Sequence, residues 1–292
     1  MTQSRNKWMV RVVLLLAVTA FLGVSLIPIL GALNSSPPAA ETAAQDATNT
    51  SAQDNSKLED TIRGYELVLQ REPENQTALK GLVQTRLQLL AQKENNKVEN
   101  ADIQAVITPL EKLAKLNPQQ TEYGVLLAQA KQQIGDKEGA AQTYRTILST
   151  QPGDLKALQG MVNLQLSQNR PEAAIGILQD TLSTANQANS LQPGSVDVIA
   201  VQVLLGSVYA VQKNDTKAIS VYDEAIKKDP QDFRPVLAKA MFLKEQGKTD
   251  EAKPLFDNAL GLAPAEYKDE INKAAAISSP ASTPSPESKP GQ

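Results

Sequence analysis

The 292-residue sequence predicts an all-α protein built as an array of repeated helical segments. Three observations carry that expectation. Ala218, Tyr222, Ala225 and Pro230 return 34 residues later as Ala252, Phe256, Ala259 and Pro264, and the same internal spacings join Ala140, Tyr144, Ile147 and Pro152. Each such segment ends at a proline, which cannot continue a helix. Apolar residues make up 41% of the chain but aromatics only 4%, so the core must be aliphatic and alanine-rich.

The amino end carries Arg5, Lys7 and Arg11, followed by 22 residues, Val12 to Leu33, without a charge. At about 1.5 Å per residue they reach roughly 33 Å, enough for a hydrocarbon core of about 30 Å, so 12–33 is expected to be a transmembrane signal anchor. A cleaved signal peptide is the rival, but its apolar core usually runs only about 7–15 residues. Basic residues lie before the span and none follows until Lys57, which keeps residues 1–11 cytoplasmic and sends the rest outside. Residues 34–56, rich in Ala, Thr, Ser, Asn and Gln, lack the apolar surface to fold and read as a disordered linker reaching about 26 Å. Residues 57–73, with Tyr65, Val68 and Pro73, read as a capping helix. At the far end, Ala265–Ile277 reads as a closing helix with Tyr267 and Ile271 inward, and 278–292 as a second disordered tail holding four prolines.

Between the caps, the small–aromatic–small–Pro pattern at a 34-residue period resembles the tetratricopeptide repeat (TPR) family. The spacing has a physical cause. The first alanine lets two helices approach closely, and the aromatic four residues later, on the same face, fills the gap toward the next repeat. The resemblance implies a superhelical solenoid of about five helix-turn-helix repeats with end caps, preceded by the single transmembrane helix. The units are 76–120, 121–154, 155–198, 199–232 and 233–266, together a TPR domain over 57–277. Two are longer than 34 residues, through Lys93–Lys97 and Ala185–Ser190, and both insertions read as loops. Asp154 and Asp232, two residues after their prolines, are placed to cap the helices that follow. Pro109 and Pro254 fall within second helices.

The absence of cysteine and histidine removes disulfides, Cys/His zinc sites, His-ligated haem and every nucleophile–His system. A net charge of −3 leaves no positive excess for a phosphate backbone, so no nucleic-acid partner is expected. No phosphate-cradling glycine motif occurs, and no cofactor, metal or small-molecule substrate is expected. Adjacent acids such as Asp223-Glu224 and Asp250-Glu251 point about 100° apart on a helix and read as solvated faces.

The resemblance also implies where a partner would lie, in a concave groove lined by first helices. Carried onto this sequence, the groove residues are Lys80, Gln84, Leu87, Val125, Gln129, Gln132, Gln159, Asn163, Leu166, Val203, Ser207, Ala210, Leu237, Met241 and Lys244. Family members that clamp a terminal carboxylate pair a Lys with an Asn four residues on. No unit here holds both, so such a clamp is not expected. The expectation is a non-enzymatic, membrane-anchored scaffold holding a peptide or helix of a protein partner. Its domain would be periplasmic or thylakoid-lumenal, in assembly or folding of membrane complexes. A self-associating spacer is the alternative, and a carboxylate-based envelope hydrolase the most distant one.

Overall fold

A computed structural model describes residues 47–93 and 98–276. The residues up to 46 expected to hold the anchor and most of the linker, residues 94–97 of the expected loop at Lys93–Lys97, and the expected tail from 277 lie outside the described residues. Twelve helices are described: α1 Ala47–Arg71, α2 Gln76–Gln92, α3 Asn100–Leu116, α4 Thr121–Gln133, α5 Lys137–Thr150, α6 Leu155–Ser167, α7 Pro171–Leu191, α8 Val198–Val211, α9 Asp215–Lys228, α10 Phe233–Glu245, α11 Thr249–Leu262 and α12 Ala265–Ala276. Packing divides the chain into two compact units, the first ending at Asp197 and the second beginning at Val198.

Local chemistry starts many of these helices. Asn75, Asp136, Asp154, Asn214 and Asp232 stand at N-caps of α2, α5, α6, α9 and α10, each side chain accepting from a backbone N–H of the first turn, for example Asp154 from Ala157 N at 2.8 Å. Asp154 and Asp232 cap as the sequence predicts. The turn before α6 needs a glycine for room: a Cβ on Gly153 would lie 2.7 Å from Val196 Cα and nearer still to Ser195 O. Pro109 and Pro254 sit inside α3 and α11, where the sequence puts them.

In the first unit α1 to α7 pack as successive neighbours. The first helices α4 and α6 also touch each other, forming an inner layer, while α5 and α7 lie outside them. Leu79, Val83, Val106, Ile107, Leu110 and Leu113 join α2 to α3, with Leu127 of α4 completing the cluster. Ala140, Tyr144, Ala157 and Met161 join α5 to α6. In the second unit α8 packs on α9 and α10, and α10 on α11 and α12.

The repeated aromatics do one job. Tyr65, Tyr144 and Tyr222 each lie against a glycine of a first helix, Gly81, Gly160 and Gly206, where any Cβ would enter the ring. Alanine at the flanking positions lets the backbones close to that distance: Ala140, Ala218, Ala225, Ala252 and Ala259 are all buried.

Two expectations are corrected. The first helix starts at Ala47, inside the stretch expected to be tether: elongating a helix already nucleated in the amphipathic part needs no new nucleus, and it runs back through residues 47–56 although seven of them are Thr, Asn, Ser or Asp. The surplus in the third repeat is not a loop. Residues 185–190 extend α7 to Leu191. Ala174, Leu178, Thr181 and Ala185 are buried along one stripe at helical spacing, so the extra turns keep a core-facing side. Asn189 then closes the connection, accepting from Val196 N at 2.8 Å and donating to Val196 O at 2.9 Å.

Candidate functional site

The residues expected to line the groove divide into two groups. Val125, Val203, Ser207 and Leu237 are buried in their units, as is Ala210, and they act in packing. Lys80, Gln84 and Leu87 on α2 are exposed; Gln129 and Gln132 on α4, Gln159, Asn163 and Leu166 on α6, and Met241 and Lys244 on α10 are half-buried.

In the first unit the accessible positions form an amide row. Gln129 and Gln132 are three residues apart on α4, Gln159 and Asn163 four apart on α6, so each pair shares one helical face, and α4 and α6 are neighbours. Tyr144 anchors one end by donating from its hydroxyl to Gln132 Oε1 at 3.4 Å. Burial pushes that hydroxyl up to about 12, so it stays a neutral donor. Lys131 on α4 is neutralised by Glu111 at 2.9 Å, and Lys80 Nζ lies 5.8 Å from the Tyr123 ring centroid. The surface offers amide donors and acceptors with little uncompensated charge.

The second unit presents a different interior. All residues of α8 from Val203 to Ala210 are buried. Ser207 donates to Val203 O at 3.0 Å and lies 3.3 Å from the Tyr222 hydroxyl, which therefore donates to Ser207 Oγ. Lys244 is committed to the closing helix: its Nζ donates to Ala274 O at 2.5 Å and Ala275 O at 2.7 Å, and sits 5.6 Å from the Phe256 ring. Burial holds its amine below the usual lysine range. Lys244 thus works as a C-terminal cap for α12.

A tetratricopeptide repeat profile matches residues 83–264. The chain belongs to the tetratricopeptide repeat family. It is 29% identical over 151 residues to cellulose synthase operon protein C of Pseudomonas fluorescens (strain SBW25), covering 51% of this chain and 12% of that protein. It is 26% identical over 186 residues to protein SLOW GREEN 1, chloroplastic, of Arabidopsis thaliana, covering 64% of this chain and 56% of that one. The chain therefore spans less than two thirds of either relative. Among solved structures, a thermophilic TPR protein of Thermus thermophilus aligns with a TM-score of 0.40 at 22% identity, over 67% of this chain and 98% of that one.

The TPR register missed one feature, a cavity of about 390 Å³ on the outer side of the first unit, among α5, α6 and α7. A signal was present. Gln165 follows Leu158, Met161 and Val162 at core-facing spacing, a polar residue in an apolar stripe. Among the described residues no helix is long and apolar enough to cross a membrane; the expected anchor lies outside them.

Proposed function

We propose that this TPR protein is a non-enzymatic scaffold that holds a peptide or helix of a protein partner on the inner layer of its first unit. The observation that carries it is the half-buried row Gln129, Gln132, Gln159 and Asn163 on adjacent helices. Its amides satisfy the backbone of a partner segment, while Leu166 supplies apolar contact. Lys80 and Gln84 lie on α2 of the same unit. The residues 12–33 anchor the chain to a membrane, with the TPR domain outside the cytoplasm, where it serves assembly or folding of envelope or thylakoid complexes. The two relatives, one chloroplastic and one from a bacterial cellulose synthase operon, are in keeping with such settings. A hydrolase reading lacks support: among the lining residues of the outer cavity, Asp180 is the lone carboxylate, and glycoside chemistry needs two.

The test is photo-crosslinking in cells. A photoreactive residue at Gln129 or Asn163 is expected to trap a discrete protein, and one at the exposed Thr108 of α3 is not. Equal labelling from Thr108, or none from the row, would sink the assignment. Protease digestion of a carboxy-terminal tag in intact spheroplasts checks the side of the membrane; protection until lysis would reverse it. The spacer reading draws on Leu67, 61% exposed on α1 beside the exposed Val68. Concentration-dependent sedimentation into dimers that survives Leu67→Lys would remove that face as its cause.

A further inference from the structure

The outer cavity of the first unit has one-sided hydrogen-bonding chemistry. Its walls are apolar, from Leu148 and Pro152 on one side and Met161 and Ile177 on the other. At its base Gln165, only 9% exposed, donates its side-chain N–H to Met161 Sδ at 3.7 Å, while its Oε1 is buried without a partner. A buried carbonyl oxygen left unpaired is costly, and such groups are rare.

The hydroxyls around the cavity are also acceptors in what they have left to offer. The Ser149 hydroxyl gives its proton to Thr146 O at 2.8 Å and Thr181 to Ile177 O at 2.9 Å, while Thr184 shares its own between Asp180 O at 3.1 Å and Thr181 O at 3.2 Å. Their free lone pairs accept. The Asp180 carboxylate stands exposed at the rim, with no ion pair among the described residues. Arg145, the one cation there, is held by Glu138 at 3.2 Å and Gln142 at 2.8 Å. An occupant must bring donors and positive charge on an apolar stem of a few carbons.

We propose that this cavity is a docking site for an arginine side chain presented by a protein partner. The aliphatic stem lies between Leu148, Pro152, Met161 and Ile177; the guanidinium donates to Gln165 Oε1 and pairs with Asp180. A guanidinium suits the site better than an ammonium because it carries several donors in fixed directions and is more weakly hydrated. The site lies on the outer side of the helix layer, so it is separate from the amide row and engages a different segment of a partner, or a different partner.

The sequence supplies its own probe. Of four methionines, Met161 lines the cavity and Met241 belongs to the second unit. With the full chain carrying ¹³C-methyl methionine, the peptide acetyl-Ala-Ala-Arg-Ala-Ala-amide is expected to shift the Met161 signal saturably and leave Met241 unmoved. The citrulline counterpart, the same shape without charge, is expected to bind about 5–10 times more weakly, the margin of a charge-assisted hydrogen bond over a neutral one. Gln165→Leu is expected to weaken the arginine peptide about tenfold, as loss of a hydrogen bond to a charged group does. Asp180→Asn is expected to cost about 2–5-fold for arginine, the range of a rim ion pair, and nothing for citrulline. Asp180 is exposed, so that variant tests the site even if Gln165→Leu perturbs packing. The proposal is overturned if the norleucine peptide shifts Met161 as strongly as arginine, if both variants leave arginine binding unchanged, or if Met161 does not respond to arginine at all.

Discussion

Gly206 offers the sharpest test of the packing. A Cβ at this position would lie 2.8 Å from both Cδ1 and Cζ of Tyr222, and closer still to Cε1. Ordinary contact is about 3.5–4.0 Å, so the ring must retreat by about 1 Å. It has nowhere to go: Tyr222 is 2% exposed, its hydroxyl is held by Ser207 at 3.3 Å, and the Phe242 ring lies 6.3 Å away, centroid to centroid. Overpacking of one methyl costs about 1–3 kcal/mol, and so confined a ring points to the upper half of that range, about 2–3. Alanine returns about 1 kcal/mol of helix propensity over glycine. Gly206→Ala is therefore expected to lose about 1–2 kcal/mol in urea unfolding. In a Tyr222→Leu background the clash is gone and the same change is expected to gain about 1 kcal/mol, a coupling of about 2–3 kcal/mol, within the range seen for contacting residues. Gly176 is the control. It lies inside α7 with nothing within 4 Å of its Cβ position, so Gly176→Ala is expected to gain about 1 kcal/mol. If Gly206→Ala stabilises as Gly176→Ala does, the ring-on-glycine account is wrong.

Four further outcomes follow from individual contacts. Asp102 accepts from Lys93 Nζ at 2.7 Å and from the Glu99 N–H at 3.0 Å, and these bonds, the lysine first, hold its carboxyl below the usual range. A depressed carboxylate stabilises above its unfolded value and is lost as pH falls through the folded one. Asp102→Asn is thus expected to cost about 1 kcal/mol at pH 7 and nothing well below pH about 3.9, read by urea unfolding at the two pH values. The Tyr144 phenol, pushed up to about 12 by burial, contributes stability that is whole below about 10 and is lost as pH rises through about 12; Tyr144→Phe is expected to flatten the loss over that alkaline window. Lys244→Met removes the cap on Ala274 and Ala275, so amides in the last turn of α12 are expected to exchange hydrogen faster while α8 stays protected. Gln165→Leu is expected to stabilise by about 1–2 kcal/mol in thermal or urea unfolding, because it removes a buried unpaired oxygen from an apolar stripe; a loss of similar size would mean that the amide has a partner in the native state.

The repeat was legible in the sequence because its signal is local. Ala218–Tyr222–Ala225 and its copies need only helical spacing to place three buried residues on one face, and Asp154 and Asp232 need only their distance from a proline to become caps. The extension of α7 was misread because an insertion measured against a fixed 34-residue frame looks like surplus, whereas Thr181 and Ala185 continue the stripe begun at Ala174. Groove membership proved less transferable. Position within the repeat gives the direction of a side chain relative to its own helix axis, but not what lies opposite. Val203, Ser207 and Leu237 occupy the same repeat positions as accessible residues of the first unit and are nevertheless buried. Lys244 points toward a helix end that only the last repeat has.

The difference between the two units bears on where function can reside. An array tolerates half-buried amides such as Gln129 and Gln159 only where apolar residues elsewhere on the same helices bury enough area to hold it together, here Ala128, Leu127, Leu158 and Met161. In the second unit α8 commits nearly every side chain to burial, which leaves the stack secure but offers few groups to a partner. The first unit keeps polar groups at two places where apolar ones would pack better, the inner amide row and the base of the outer cavity. A buried oxygen left unpaired costs stability in either unit, and Gln202 Oε1 on α8 is buried without a partner as Gln165 Oε1 is on α6. What sets Gln165 apart is its place in the lining of a cavity that an outside group can enter, whereas the amide row is half-buried and reaches solvent directly.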